Sequence, residues 1–203
     1  NISNRLRFGF NRLSIIDPSE NSHQPIWSPS KRYLIVYNGE IYNHSELRSR
    51  LPGRGENIKG YGDTPTLAKC FDEWGIEKTI SKLDGMFAIG VWDNLEKKIS
   101  LIRDFAGVKP LFYGFDGRIL VFSSQYNQIS RHPSYFHNEY DNSVLKLYLI
   151  QHFIPSPNGL IKNTFSLSPG EIITFNRKGE KFSKKYWNYP DYEELKFPNN
   201  EAI

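Results

Sequence analysis

Polar residues that could bind a small molecule stand at the ends of apolar runs in this 203-residue sequence. Arg12 precedes one run, Asn38-Gly39-Glu40 follows the run 33–37, Gly62-Asp63-Thr64 precedes a helix-like segment, and Arg103-Asp104 closes another run. Guanidinium and carboxylate groups bind the two charges of a zwitterion, and ligand groups often converge at strand ends. The residue types are therefore compatible with a site for a small zwitterion.

Each of these features also has a purely structural interpretation. Asn-Gly between two strand-like runs is the strongest short-range signal for a β-hairpin, because both turn residues need positive φ. Asp63 or Thr64 could begin a helix as its N-cap. Arg103 could form a salt bridge with Asp104, and Arg12 could be a surface cation. Taken one at a time, the structural interpretations are favoured.

The segments that must position these residues are mostly strands. Continuous apolar runs such as 33–37 are typical of strands covered on both faces. Turn signals between successive runs predict antiparallel hairpins. Strands are predicted at 33–37, 86–93, 98–104, 111–113, 119–122, 172–175 and 184–187, after a short apolar stretch at 12–17. Sheets of this kind, covered by other layers, predict an α+β sandwich.

Helices are fewer than strands. A short helix is predicted from Asn43 or His44 to Leu51, and another runs from Ser143 to about Phe153. A third begins at Thr64 with Pro65 in its first position, and Gly75 separates it from a short helix at 76–83. Cys70 falls on the apolar stripe of the 64–74 helix, so we expect a core side chain rather than a nucleophile.

The composition argues against several classes of protein. The sequence is 38% hydrophobic and 24% charged with a net charge of +4, and no basic stripe points to nucleic acid. No apolar run approaches the roughly 20 residues that span a bilayer. The single cysteine permits neither an internal disulfide nor a cysteine-based zinc site and suits a reducing compartment. We expect a cytoplasmic protein without nucleic-acid, membrane or metal partners.

Six ordered blocks resemble the class II glutamine amidotransferase domain of glutamine-dependent asparagine synthetases. The blocks read FGFNRLSIID, HQPIW, YNGEIYNHSELRSRL, GDTPTL, LDGMFAIGVWD and RDFAGVKPLFY. The later segment IPSPNGLIKNTFSLSPGEIITF is similar to that family's passage toward its synthetase domain. The resemblance implies an amidotransferase domain over 1–187, incomplete at its N-terminus, and a linker over 188–203. It also implies a four-layer αββα N-terminal-nucleophile hydrolase sandwich with two antiparallel sheets.

The family's chemistry is hydrolysis of the glutamine side-chain amide to glutamate and ammonia. Its nucleophile is the thiol of an N-terminal cysteine, for which the α-amino group is the base. By position, the resemblance implies that Arg12 binds the α-carboxylate of L-glutamine. Asp63 would bind the α-ammonium group with help from Glu40. The Asn38 carboxamide and the Gly39 N–H would form the oxyanion hole, as the catalytic residues of this domain.

No cysteine precedes Arg12, although the family pattern places the nucleophile there. We expect the nucleophile in an N-terminal segment outside this sequence, so the chain by itself should not hydrolyse glutamine. The alternative is a non-catalytic domain that binds glutamine or serves as a scaffold. No cofactor is expected in this domain. ATP and Mg²⁺ would serve a synthetase domain in the same polypeptide. That domain would amidate a carboxylate, for which aspartate is the favoured candidate. A homodimer is a further expectation.

Overall fold

The computed structural model describes residues 6–11, 17 and 19–188. Arg12, the rest of the apolar stretch 12–16, and residues 189–203 of the predicted linker lie outside the described residues.

The described part of the chain contains strands and helices in the order and places that follow. The strands are β1 (Ile26–Trp27), β2 (Tyr33–Ile41), β3 (Gly85–Asp93), β4 (Lys98–Arg103), β5 (Phe112–Phe115), β6 (Leu120–Ser123), β7 (Thr164–Ser166), β8 (Glu171–Phe175) and β9 (Lys181–Lys185). The α-helices are α1 (His44–Ser49), α2 (Asp63–Ile80), α3 (Tyr126–Ser130) and α4 (Asn142–Gln151), with short 3₁₀ turns at Glu20–Ser22 and Pro52–Gly55. The predicted strands are therefore present, with bounds that differ by a few residues.

The strands form two antiparallel sheets. One has six strands in the order β1-β2-β3-β4-β8-β9, and the other has three in the order β6-β5-β7. Odd-numbered residues of β2, such as Tyr33 and Ile35, belong to a core shared with Leu67 and Phe71 of α2. A second core joins the opposite face of the larger sheet to the smaller one. Because both faces of β2 are covered, its sequence is continuously apolar rather than alternating.

The layers follow one another as helices, sheet, sheet, helix. Helices α1 and α2 cover the outer face of the six-stranded sheet. The second core, which includes Ala88 and Leu101 on one side and Tyr113 on the other, lies between the sheets. On the far side, Tyr126 of α3 packs edge-on against Phe112 of β5, with ring centroids 5.5 Å apart. This order confirms the predicted four-layer αββα arrangement.

Helix α2 begins slightly earlier than the sequence suggests. Its N-cap is Gly62, so Asp63 is the first helical residue and Pro65 is the third, not the first. The helix is interrupted at Gly75, where φ is +74° and ψ is 173°. A residue with a Cβ atom is strained in this conformation, which explains why glycine separates the two predicted helical segments. Cys70 points into the first core and is fully buried, as expected.

The Asn38-Gly39 dipeptide is not the tip of a hairpin, which corrects the favoured structural interpretation. Strand β2 runs through it without interruption to Ile41, and β3 pairs with it in a constant register. Asn38 lies opposite Ala88, and Gly39 lies opposite Phe87. The sequence signal was misleading because the long strand β2 pairs with β3, which is distant in sequence, and not with the segment directly after Gly39.

Helix α4 presents an unusually apolar surface. Asp141 caps its start by accepting hydrogen bonds from the backbone N–H groups of Ser143 and Val144. Of its residues only Val144 is buried, whereas Leu149 and Ile150 are 66% and 68% exposed. No helix in residues 6–11, 17 and 19–188 is long and apolar enough to span a bilayer.

Candidate active site

A cavity of about 810 Å³ opens beside strand β2, where the two sheets and the start of α2 meet. Its volume lies within the usual range for small-molecule sites. Asn38, Gly39, Glu40 and Asp63 all line it, so the structure brings together every described residue to which the family resemblance gave a role. Arg12 lies outside the described residues, and its predicted contact with a carboxylate stays a prediction.

Next to this cavity, one edge of β2 has no partner strand among the described residues, because β1 is only two residues long. β1 pairs with β2 at Leu34 and Ile35 and reaches no further. Beyond that point Gln24 takes the place of a neighbouring strand. Its Oε1 accepts from the Tyr37 N–H at 2.5 Å, and its Nε2 donates to the Tyr37 carbonyl at 2.9 Å. Four residues further along from Tyr37, the Ile41 N–H donates to Asp63 Oδ2 at 3.1 Å.

The Gly39 N–H lies on the same edge, between these two satisfied amides. In an antiparallel strand the backbone groups of residues i and i+2 point to the same side, so Tyr37, Gly39 and Ile41 share one direction. The Phe87 residue opposite Gly39 directs its own backbone groups to Asp104, at 2.8 and 3.2 Å, and so away from β2. No described residue accepts a hydrogen bond from the Gly39 N–H. It is therefore a donor available to a ligand in the cavity.

Glycine is required at position 39 by the neighbouring strand. Its φ is +150°, and a Cβ atom built there would lie 2.0 Å from the carbonyl oxygen of Met86. Gly85 is in the reciprocal situation, since its Cβ would lie 2.2 Å from the carbonyl oxygen of Glu40. The close approach of β2 and β3 therefore explains why position 39 is glycine.

The Asn38 side chain reaches the cavity from the face of the sheet. It lies opposite Ala88, on the side of β2 that faces the three-stranded sheet. Its Nδ2 donates to the hydroxyl of Ser124 at 3.0 Å, which uses one of its two N–H bonds. The second N–H and the adjacent Gly39 N–H both belong to residues that line the cavity, and neither has an acceptor among the described residues. Two such donors are the chemical equipment of an oxyanion hole.

Asp63 is buried and firmly held at the start of α2. Its Oδ2 accepts from the Tyr37 hydroxyl at 2.7 Å and from the Ile41 N–H, whereas its Oδ1 accepts only a 3.3 Å bond from Thr64. Burial first, and then the charge of Asp63, raise the pKa of Tyr37 far above its usual value, so the phenol keeps its proton and donates. Because a carboxylate oxygen can accept two hydrogen bonds, Oδ1 retains capacity for a cationic ligand group.

Asp17 is a further acidic residue of the cavity, and the sequence analysis assigned it no role in the site. Its Oδ2 accepts from the Ser22 hydroxyl at 2.7 Å and from the N–H groups of Tyr61 and Gly62 at 3.1 and 3.3 Å. Hydrogen bonds from Ser19 and then from Ser22 hold the pKa of Asp17 below its usual range, although burial raises it. Asp17 therefore fixes the loop that leads to Asp63. An Asp-x-Ser turn after an apolar run was the available signal.

The described lining of the cavity is acidic. Asp17, Glu40 and Asp63 contribute carboxylates, and no described lining residue is basic. The Glu40 carboxylate has no hydrogen-bond or ion-pair partner among the described residues, so it is available to a cation. The described lining suits a cationic group such as an α-ammonium, but it holds no group of three His, Cys, Asp or Glu residues that could bind a metal ion.

Arg103 and Asp104 do not pair with each other and do not line the cavity, contrary to the salt-bridge interpretation. The guanidinium group of Arg103 donates to the carbonyl oxygens of Lys109, Gly107 and Leu167 at 2.9, 2.8 and 2.6 Å. The buried Asp104 carboxylate accepts from three backbone N–H groups, those of Phe87, Val108 and Lys109. Both side chains fix the loop after β4, and Asp104 also holds β3 opposite Gly39.

Cys70 has the properties of a structural residue. It is fully buried in α2, away from the cavity lining. Burial, and then the charge of Glu73, raise the pKa of its thiol to about 12. Because the thiolate is the reactive form, Cys70 is not a competent nucleophile at neutral pH.

The family comparison agrees with this geometry. A family model described as the glutamine amidotransferase domain matches residues 1–187. The chain belongs to this glutamine amidotransferase family. Among curated relatives, the amidotransferase domain is 32% identical over 183 residues to asparagine synthetase [glutamine-hydrolyzing] 3 of Bacillus subtilis, covering 89% of this chain and 29% of the relative. It is 41% identical over 127 residues to the Rattus norvegicus asparagine synthetase [glutamine-hydrolyzing], covering 61% and 22%.

The resemblance inferred from the six sequence blocks is thus confirmed, although this chain spans under a third of the length of either relative. Among solved structures, the amidotransferase fold is similar to that of glutamine phosphoribosylpyrophosphate amidotransferase from B. subtilis, complexed with ADP and GMP. The TM-score is 0.59 at 18% sequence identity, and the match covers 83% of this chain and 33% of that one. This likeness concerns the fold alone, and it agrees with the predicted four-layer αββα sandwich of two antiparallel sheets.

Proposed function

We propose that this domain hydrolyses the side-chain amide of L-glutamine to glutamate and ammonia. The observation that carries the proposal is the Gly39 N–H, which has no described acceptor and lies beside the Asn38 carboxamide in a cavity lined by acidic residues. Carboxylates such as Asp63 are suited to the α-ammonium group of an amino acid. The oxyanion donors are suited to the carbonyl oxygen of its side-chain amide.

In the proposed reaction the thiolate of an N-terminal cysteine, the nucleophile that the family resemblance implies, attacks the amide carbon. The electron pair of the C=O bond moves to the oxygen, which the Gly39 N–H and the Asn38 Nδ2–H stabilise. The α-amino group of that cysteine takes the thiol proton and passes it to the amide nitrogen, so that the tetrahedral intermediate collapses with cleavage of the C–N bond and ammonia leaves. Water then hydrolyses the thioester to release glutamate and restore the thiol.

The test uses the natural full-length protein and its Asn38→Ala variant, with glutamate release as the assay. We expect kcat to fall about 100- to 1,000-fold while glutamine affinity changes little, because the lost donor acts mainly on the transition state. Asn94→Ala is the matched control, since Asn94 lies in the turn after β3 and its side chain contacts Lys97 outside the cavity.

An unchanged kcat in Asn38→Ala would refute the oxyanion assignment. If the full-length protein binds glutamine without releasing glutamate, the alternative applies, and the domain is a non-catalytic glutamine-binding module or scaffold.

We further propose that the ammonia passes to an ATP-dependent synthetase domain in the same polypeptide, which uses ATP and Mg²⁺ to amidate a carboxylate, first of all aspartate. The names and lengths of the curated relatives support this assignment. Exposed apolar side chains at the end of α4 support it as well, because Leu149, Ile150 and, two residues beyond the helix, Phe153 are each more than half exposed. Large exposed apolar side chains that are close in sequence are typical of an interface, and we assign this segment to a contact with that domain. We also place the protein in the cytoplasm.

This partner assignment is tested with Leu149→Asp in the full-length protein. A charge in a domain interface should reduce product formed from glutamine more than product formed from added ammonia, because only the former needs transfer between domains. Asn142→Asp, at the start of α4, is the control for added charge. Equal effects on both nitrogen sources would refute the assignment of this surface.

A further inference from the structure

We infer that Ser124 is a positioning residue that holds the Asn38 carboxamide in the orientation of an oxyanion donor. This inference rests on the proposed glutaminase function. The Ser124 hydroxyl accepts a hydrogen bond from Asn38 Nδ2 at 3.0 Å, and no other described residue bonds to this side chain. Ser124 belongs to none of the sequence blocks that indicated the family, and its role emerges from the contact between the two sheets.

The contact joins the two sheets across the cavity. Asn38 lies on β2 of the six-stranded sheet, and Ser124 directly follows β6 of the three-stranded sheet. The sheets approach closely here because Gly90 of β3 leaves room for the ring of Phe122. A Cβ atom at Gly90 would lie 2.5 Å from that ring. This packing keeps the residues after Phe122 close to the six-stranded sheet, and so places the Ser124 hydroxyl within hydrogen-bond distance of the Asn38 carboxamide.

An anchor is needed because the asparagine side chain is not fixed by its backbone. Its terminal torsion has a broad energy profile, so an unanchored carboxamide samples many orientations. One N–H bonded to Ser124 restricts that rotation and leaves the second N–H for the ligand. The Gly39 N–H, in contrast, is fixed by the strand itself. One of the two oxyanion donors therefore depends on a side-chain contact, and the other does not.

Ser124 is not itself placed to act as a nucleophile. A serine hydroxyl needs an adjacent general base, and no described residue that lines the cavity is histidine, lysine or arginine. The Asp63 carboxylate bonds to Tyr37, Ile41 and Thr64 and not to Ser124. Its contribution is therefore confined to the orientation of Asn38.

The experiment compares Ser124→Ala and Ser124→Thr with the natural full-length protein, by kcat and KM for glutamate release. We expect Ser124→Ala to lower kcat about 10- to 100-fold with KM little changed, because a misplaced donor loses transition-state stabilisation. Ser124→Thr keeps the hydroxyl and should restore most of kcat. The control is Ser130→Ala, because the Ser130 hydroxyl donates to a carbonyl oxygen within α3 and Ser130 does not line the cavity.

A double variant separates positioning from a general structural effect. If Ser124 acts through Asn38, adding Ser124→Ala to Asn38→Ala should cause no further loss of kcat. The inference would be overturned if the two losses multiplied in the double variant, or if Ser124→Ala alone left kcat unchanged. In either case the proposed glutaminase function would stand, provided that Asn38→Ala is impaired. Failure of the unmodified protein to hydrolyse glutamine would instead overturn the proposed function. If Ser124→Ala does not fold, Ser124→Cys, a near-isosteric and weaker acceptor, carries the same test.

Discussion

Replacing Gly39 by alanine tests whether the close approach of β2 and β3 holds the backbone donor in place. The new Cβ atom would lie 2.0 Å from the Met86 carbonyl oxygen and 2.8 Å from the Phe87 Cα, against about 3.4 Å for an ordinary contact. Both neighbouring atoms belong to the backbone of β3, so no side chain can move aside. The strands must separate by more than 1 Å, or the residue must leave its conformation at φ +150°.

The free energy of unfolding should fall by about 2–5 kcal/mol, the sum of two effects. Backbone strain at such a φ costs about 1–3 kcal/mol. Loosening one or two neighbouring ladder hydrogen bonds adds about 1 kcal/mol each. In a chain of this size each kcal/mol lowers Tm by about 2–4 °C, so we expect a fall of about 4–20 °C. Glutaminase activity should also be lost at temperatures where the variant is folded, because the Gly39 N–H is displaced.

Gly117→Ala is the matched control. Gly117 also has a positive φ, +92°, but a Cβ atom there has nothing within 4 Å. It therefore adds backbone strain of about 1–2 kcal/mol without a steric clash. Thermal unfolding followed by near-ultraviolet circular dichroism compares the two variants. If they melt within about 2 °C of each other, the strand contact does not determine the residue at position 39, and the reasoning is refuted.

Three further substitutions test other parts of the site. Asp63→Asn keeps an acceptor for Tyr37 and Ile41 but removes the negative charge. It should raise KM for glutamine about 10-fold or more, because hydrogen bonds to charged groups contribute about 1.5–3 kcal/mol. An unchanged KM would contradict an ammonium site at Asp63. The lowered pKa of Asp17 gives the folded protein stability that is present above the ordinary pKa of about 3.9 and is lost on acidification. Below about pH 4 the urea midpoint of Asp17→Asn should therefore fall less with decreasing pH than that of the unmodified protein. An identical pH profile of the two proteins would contradict this. Cys70 should resist iodoacetamide at pH 8 in the native protein, by mass spectrometry of its peptide, because its pKa is about 12; rapid labelling would argue against burial.

The sequence predicted the strands and the fold class well, because both depend on local patterns. The apolar runs correspond to β2, β3 and β4 within a few residues, and the break in helix α2 at Gly75 follows from the conformational freedom of glycine. The grouping of Asn38 with Asp63 in one cavity could be predicted only from the family resemblance. Spacing alone does not show which strand ends meet, since β2 and the start of α2 are brought together by the tertiary fold.

Other parts of the site depend on contacts that no local pattern encodes. The Asn38-Gly39 turn was predicted wrongly because the nearest-neighbour signal was stronger than any sign that β2 pairs with β3. Ser124 could not be identified, because its partner is 86 positions away in sequence and belongs to the other sheet. Gln24 acts through its amide as a substitute for a strand, which a sequence such as HQP does not reveal. In each case the missing information is the identity of a distant partner.

The open edge of β2 explains how a β-sheet can supply a free backbone donor. An unpaired edge normally invites association with other strands, and proteins usually cover it. Here the edge is covered selectively, by Gln24 at Tyr37 and by Asp63 at Ile41, so the amide between them has no acceptor among the described residues. Asp63 thus has two functions in the proposal, since one carboxylate oxygen covers the edge and the other is left for the substrate. The position of the substrate ammonium and the exposure of the Gly39 donor therefore depend on the same side chain. A substitution such as Asp63→Ala should consequently impair both binding and turnover, whereas Asp63→Asn should impair mainly binding.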